Sequence, residues 1–226
     1  MGRGRSKLGA GGATGSLSLG NGNTAEFEGT LIYGGKDKTL TKEERAEVEA
    51  WEKKRANSEI EYMYAVTDYG IALPDGEIMG DERHVEVPDG YTDWLGSTLT
   101  HIHPRTGEEK NQLGGTFSRG DLDAFTWARF ETLRAVANEG VYSISKTPDF
   151  SASGFQRYAR QTRLELWKKY EDARAKIDSR YERGITSDRE YRAEVDKSFN
   201  TFHVELHKAL VDGQKKFGYI YTLERR

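Results

Sequence analysis

The sequence predicts an α/β fold of the α+β kind: a mixed sheet flanked by helices, with a long helical hairpin before the last strand. Three observations carry this. Between residues 59 and 103, runs rich in aromatic and β-branched residues are punctuated by tight-turn sequences, as strands are. From Ser118 the apolar spacing becomes helical. Two long charged segments with apolar stripes then stand directly before Gly218-Tyr219-Ile220-Tyr221-Thr222-Leu223, a late strand signal.

Taken in order, residues 1–40 form a Gly- and Ser-rich stretch expected to be a flexible tail, because it offers little surface to bury against chain entropy. Thr41-Lys42-Glu43-Glu44 has the form of a capping box and starts a charged helix over 41–57. Val48 and Trp51 are nearly its only large apolar residues, so weak packing is expected. The remainder, 58–226, reads as one domain. Residues 59–73 alternate as a strand into a turn at Asp68-Tyr69-Gly70. Pro74-Asp75-Gly76 marks a second turn, and Glu77 to Met79 a return.

His84-Val85-Glu86-Val87 is a further short strand, and 97–103 the next. Leu122, Phe125, Leu133 and Val136 share a helical face, which predicts about five turns from Ser118 to near Gly140. Val141 to Ser145 is a strand. A helical hairpin over 156–215 follows, with stripes at Leu166, Tyr170, Ala173 and Ile177 and at Tyr191, Val195, Phe202 and Leu206. Gly184 marks its turn and Ser187-Asp188 the second cap. The final strand is expected to pair with the exposed edge of the same sheet.

Composition narrows the chemistry. Hydrophobic residues make up 35% and charged residues 31%, with a formal net charge of −3. No overall basic field points to nucleic acid, and no nucleic-acid partner is expected. The absence of cysteine removes disulfides, thiolate zinc sites and a cysteine nucleophile. No apolar run has the length of a membrane span or of a secretory core, so the expectation is a soluble cytoplasmic protein with no membrane partner.

The chemistry concentrates in Ser97-Thr98-Leu99-Thr100-His101-Ile102-His103-Pro104, followed by Ser118-Arg119-Gly120-Asp121. On a strand, residues i and i+2 face the same way, so His101 and His103 project together. Two imidazoles can supply two of the three protein ligands of a catalytic zinc site. Asp121, in the first turn of the next helix, is the candidate third. A proton acceptor for water is offered by Glu59 or Glu61, which share a face of the first strand. Ser118-x-x-Asp121 is also what a helix N-terminus uses for capping, and one serine can do both.

His101-Ile102-His103-Pro104 with Ser118-Arg119-Gly120-Asp121, and an acidic residue on an upstream strand, resembles the JAMM motif of the MPN metalloprotease superfamily, which includes RadC-like proteins. The resemblance covers roughly 59–145, with the last strand included. It implies a JAMM/MPN (cytidine-deaminase-like) architecture and a zinc-dependent hydrolase of peptide or isopeptide bonds. His101, His103 and Asp121 would be the metal ligands, Ser118 the helper at the oxyanion, and Glu61 (or Glu59) the general base. Val66-Thr67-Asp68-Tyr69-Gly70, with Gly80 and Val85, is similar to phage or prophage members, some tied to head morphogenesis proteins. That implies a protein or peptide substrate, phage head or other phage proteins as partners, and the host cytoplasm or the virion as location. The alternative is a phage assembly or interaction module with this fold and no catalysis. The stretch between the histidines and the serine, Arg105 to Phe117, is longer than the family's usual gap and reads as a surface loop.

Other candidates fit less well. In His203-Val204-Glu205-Leu206-His207 the glutamate falls one position too late for a zincin helix, which leaves both histidines as boundary residues of the stripe. His84 reads as structural. Trp94, Trp127 and Trp167 read as core or hairpin anchors.

Overall fold

A computed structural model describes residues 13–19, 23–29, 41–66, 77–82, 85, 98–104, 112–128 and 130–225. The strands are β1 (Ala13–Leu19), β2 (Asn23–Gly29), β3 (Tyr62–Val66), β4 (Ile78–Met79), β5 (Thr98–Ile102), β6 (Thr132–Ala137), β7 (Gly140–Lys146) and β8 (Tyr219–Arg225). The helices are α1 (Lys42–Arg55), α2 (Arg119–Trp127), α3 (Ala152–Glu182) and α4 (Asp188–Phe217). Six strands make one mixed sheet in the order β4-β3-β5-β6-β7-β8. The β5–β6 pair is parallel and its neighbours are antiparallel. A parallel pair needs a crossover, and α2 lies within it.

Strand alternation divides the sheet into two buried faces. Met63, Ala65, Leu99, Leu133, Ala135, Ala137, Tyr142 and Ile144 belong to the main core, with α2, α3 and the second half of α4. Tyr64 and Val66 pack with Val48 and Trp51, and Ile102, Val136 and Val141 pack with Trp51, Ala56 and Tyr62. Helix α1 therefore covers the second face. It does so with more than its few apolar residues: Glu52 is buried at 2% exposure and accepts hydrogen bonds from Arg134 Nε at 2.7 Å, Arg134 Nη2 at 3.0 Å and Thr100 Oγ1 at 2.8 Å. The expectation of a weakly packed charged helix is corrected on this point. A glutamate in a charged run gives no sign that its partner lies on a distant central strand.

The predicted five-turn helix from Ser118 is also corrected. Helix α2 ends at Trp127, and Thr132–Ala137 is strand β6, at the centre of the sheet. Leu133 and Val136 are three apart, which fits one helical face equally well. On the strand they point to opposite faces, Leu133 into the main core and Val136 toward α1. All six residues of β6 are buried, so no exposed polar face marks the strand period in the sequence.

The hairpin has two parts. Along α4 the buried residues run from Asn200 to Phe217, whereas on α3 they are Phe155, Ala159 and Ile177. Its base thus belongs to the core, and most of its distal half is solvent-facing. Ser187 caps α4 with Glu190 in a capping box. Gly218 ends the helix with φ 70°, where a side chain would run into the Asp149 carbonyl, and so turns the chain into β8. As expected, β8 pairs antiparallel with β7 at the sheet edge.

Thr41 and Glu44 form the anticipated capping box. Within the stretch read as a flexible tail, β1 and β2 pair antiparallel, with Gly20-Asn21-Gly22 between them in the sequence. The predicted strand at His84–Val87, the turns at 68–70 and 74–76 and Trp94 lie outside the described residues, apart from Val85. Trp127 is 58% exposed and anchors no core, because it falls on the outer side of the last turn of α2. Trp167 packs edge-on against Phe202, as a hairpin anchor does. Among the described residues no helix is long and apolar enough to cross a membrane.

Candidate metal centre

Strand β5 carries His101 on the main-core face, and the backbone continues past its end, with the His103 N–H donating to the Val136 carbonyl at 2.8 Å. The two rings meet edge-on, with Nε2 to Nε2 at 2.9 Å. Helix α2 brings its first turn to the same place. Asp121 Oδ1 lies 3.2 Å from His101 Nε2, and Oδ2 lies 3.5 Å from His103 Nε2. These are the three residues expected from sequence, and they form a group able to hold a metal ion.

The spacing tests the fit. Ligands about 2.0–2.2 Å from a tetrahedral zinc stand about 3.3–3.6 Å from one another. The two histidine–aspartate distances are close to that range, and the histidine–histidine distance has only to widen by roughly 0.4 Å. Two imidazoles and one carboxylate leave a fourth position open, the arrangement of a catalytic rather than a structural site.

Capping and ligation coexist at Ser118 and Asp121. The Asp121 N–H donates to Ser118 Oγ at 3.1 Å, and the Ser118 N–H donates to Asp121 Oδ2 at 2.6 Å. This reciprocal pair fixes the carboxylate against the histidines. Because Ser118 Oγ serves there as acceptor, its hydroxyl proton stays available to a third party, and the residue is exposed.

The register discriminates between the two glutamates. Met63 lies opposite His101 in the antiparallel β3–β5 pair, so Glu61 falls opposite His103 and on the same face. Glu61 is half-buried and acts electrostatically on His101, while Glu59 is exposed and two residues further out. Glu61 is the residue placed at the cluster.

Electrostatics make the cluster a proton trap when no cation is present. Burial works against a charged His101. The adjacent Asp121 carboxylate outweighs it, helped by Glu61 and a backbone hydrogen bond with Arg134, and holds the imidazole pKa above its usual value. Burial pushes Asp121 up, but the two imidazoles hold it well below the carboxylate range. A divalent cation satisfies the same charges in place of that proton.

Several supporting residues escaped the sequence reading. The end of the long loop is held on three sides: Leu113 N–H donates to Asn200 Oδ1, and Gly114 and Gly115 N–H donate to the two oxygens of Glu139. Tyr142 O–H joins them on Glu139 at 2.7 Å, and Gln112 Nε2 donates to Asp196 Oδ1. Gly115 then presents its carbonyl 3.4 Å from His103 Nδ1, which favours a proton on that nitrogen and a lone pair on Nε2. Gly115 has φ 81°, and a side chain there would overlap the His203 ring.

His203 and His207 are not boundary residues. They are 9% and 0% exposed, and His207 Nδ1 lies 2.9 Å from Tyr221 Oη. Their face of α4 is covered by the sheet and the 113–117 segment, a cover the stripe alone could not reveal. The adjacent glycines 114 and 115, just before the Ser–Asp pair, were the available sign of a close approach. His84 lies outside the described residues, as do Arg105 to Asn111 of the loop. Comparison of the chain with protein-family models, with curated proteins and with solved structures finds no match.

Proposed function

We propose that this chain is a zinc-dependent metallopeptidase of the JAMM/MPN type, hydrolysing a peptide or isopeptide bond. The observation that carries the reading is the convergence of His101, His103 and Asp121 at distances close to the edges of a zinc tetrahedron, with Glu61 in register beside them. His101 Nε2, His103 Nε2 and the Asp121 carboxylate would hold the ion, with the Gly115 carbonyl orienting His103. When bound, zinc polarises the scissile carbonyl and makes water acidic enough to attack near neutral pH.

The rest belongs to the chain. Glu61 accepts the proton of the attacking water and returns it to the leaving amine. Ser118, whose Oγ is already fixed by the Asp121 N–H, turns its hydroxyl proton toward the oxyanion. The Asp121 carboxylate stays in place through the Ser118 N–H.

Purified protein is expected to contain about one zinc per chain, as a site with three protein ligands should. His103→Ala is expected to lose it. Glu61→Gln should keep zinc while peptide hydrolysis falls about 10²–10⁴-fold. Substoichiometric zinc in the parent, or equal zinc in parent and His103→Ala, overturns the reading. Full zinc without hydrolysis of any peptide would favour an assembly module, a role that the exposed distal hairpin would suit, with phage proteins as partners.

A further inference from the structure

Beside the metal cluster, α3 and the start of α2 enclose a hollow of about 440 Å³ lined by Arg119, Arg160, Arg163, Leu164 and Trp167. We propose that it is a carboxylate-reading subsite for the peptide substrate, which takes an acidic side chain or a free C-terminal carboxylate next to the scissile bond. This deepens the peptidase reading and rests on it for the identity of the ligand as a peptide.

Position is the first argument. Arg119 directly follows Ser118, and Arg163 Nη1 donates to the carbonyl of Phe117, directly before it, at 3.4 Å. The hollow therefore opens on the Ser118 side of the site. Arg163 is near enough for Asp121 and Arg119 to act on its charge.

Charge is the second argument. Arg160 Nε and Arg119 Nε share one carboxylate, Asp123, at 2.9 and 3.6 Å. Arg163 is half-buried against the Phe202 ring and has no carboxylate within ion-pair distance among the described residues. Among the described residues the three guanidinium groups thus have one carboxylate, Asp123, at ion-pair distance, while Asp121 acts on Arg163 from further away. A guanidinium pairs with a carboxylate through two parallel hydrogen bonds, and its weak hydration suits half-buried Arg163 to that pairing.

The lining is also partly apolar, and that is the third argument. Leu164 is 69% and Trp167 38% exposed, and both line the hollow beside the arginines, so it offers an apolar wall next to its charges. A peptide brings both apolar and acidic groups. A nucleic-acid backbone offers phosphate alone, and the chain's net charge of −3 gives no overall basic field to draw one in.

The test uses the full-length His103→Ala chain, so that binding is read without zinc or turnover. Trp167 fluorescence, corrected with a Trp167→Phe chain, is followed on adding four probes. These are acetyl-Ala-Ala-Glu-amide, acetyl-Ala-Ala-Gln-amide, acetyl-Ala-Ala-Gln with a free carboxylate, and a single-stranded DNA decamer. One or both carboxylate peptides should bind about tenfold or more tightly than the neutral amide, the size of a charge-assisted hydrogen bond. Which of them does so identifies a side chain or a chain terminus as the source. Arg163→Gln should remove most of that preference, and exposed Arg160→Gln part of it, with folding checked by thermal melting. Equal binding of all three peptides, an unchanged preference in both arginine variants, or tighter binding of the decamer overturns the proposal. Zinc content is measured separately on the parent chain, so a failed peptidase reading and a failed subsite give different results.

Discussion

Glu52 of α1 and Arg134 of β6 form a bidentate ion pair, each 2% exposed, and Arg134 lies opposite Thr100, the neighbour of His101. Arg134 neighbours Ala135, the register partner of His101. Removing Glu52 leaves buried Arg134 with only the more exposed Glu224 carboxylate at 3.5 Å, so the cost lies toward the lower end of the ~3–5 kcal/mol for a broken buried pair. Glu52→Ala is expected to destabilise by that amount in urea unfolding. Replacing both, with Glu52→Leu and Arg134→Met, should recover most of it. Additive losses would contradict the pairing.

Gly115→Ala should weaken zinc binding without touching a ligand. Its φ of 81° and the His203 ring behind it leave no room for a methyl group, so the carbonyl must move away from His103 Nδ1. Loss of such a supporting contact lowers metal affinity about 10–100-fold. Zinc titration against a competing chelator measures this. Glu139→Ala should act in the same direction, because it removes the carboxylate to which the Gly114 and Gly115 N–H groups donate.

Metal binding should release a proton, because His101 holds one above the usual imidazole range when no cation is present. Affinity is expected to fall by about tenfold per pH unit, for each proton displaced, below the His101 pKa. Titration calorimetry in two buffers of different ionisation enthalpy counts the protons. A count of zero at pH 6 would contradict the proton-trap description.

Lys146 sets a distinct pH signature on stability. Its ammonium donates to the Ala128 carbonyl at 2.7 Å among the rings of Phe125, Phe130 and Phe150, and burial lowers its pKa from 10.5 to about 8. Between those values the unfolded chain holds a proton that the folded chain has lost, so stability rises with pH from about 8. Above about 10 the trend reverses, because unfolded tyrosines ionise there, while burial holds Tyr142 and Tyr221 well above that value. Urea midpoints across pH 7–11 should show the rise in the parent and not in Lys146→Met.

The site was more legible in the sequence than the sheet that carries it. His-x-His and Ser-x-x-Asp are local patterns, and each residue keeps its role through strand alternation or a helix cap alone. Strand β6 was hidden, because Leu133 and Val136 are spaced for one helical face and burial on both sides of the strand leaves no polar alternation to oppose that reading. Glu52, Glu139, Asn200 and His203 were illegible for a related reason. Each meets a partner far along the chain, and a lone glutamate, asparagine or histidine carries no spacing to announce it. The choice of Glu61 over Glu59 needed the strand register.

The hairpin should be divisible. Replacing residues 174–191 with a tight turn is expected to leave folding and zinc content unchanged, because Asp196, Asn200 and Phe202 remain. Phe202→Ala, at the base, should cost about 3–5 kcal/mol. Circular dichroism melts and zinc analysis of the two variants separate the base from the tip.

The anchoring of Gln112 and Leu113 by Asp196 and Asn200 gives the chain an order of events as it leaves the ribosome. Both histidines and the aspartate are made long before residue 200, yet until α4 arrives the segment that orients His103 keeps only its Glu139 support and lacks those of Asp196 and Asn200. Contacts of such long sequence separation form late. A nascent chain that has not yet reached α4 therefore carries all three candidate ligands without the full set of contacts that orients His103.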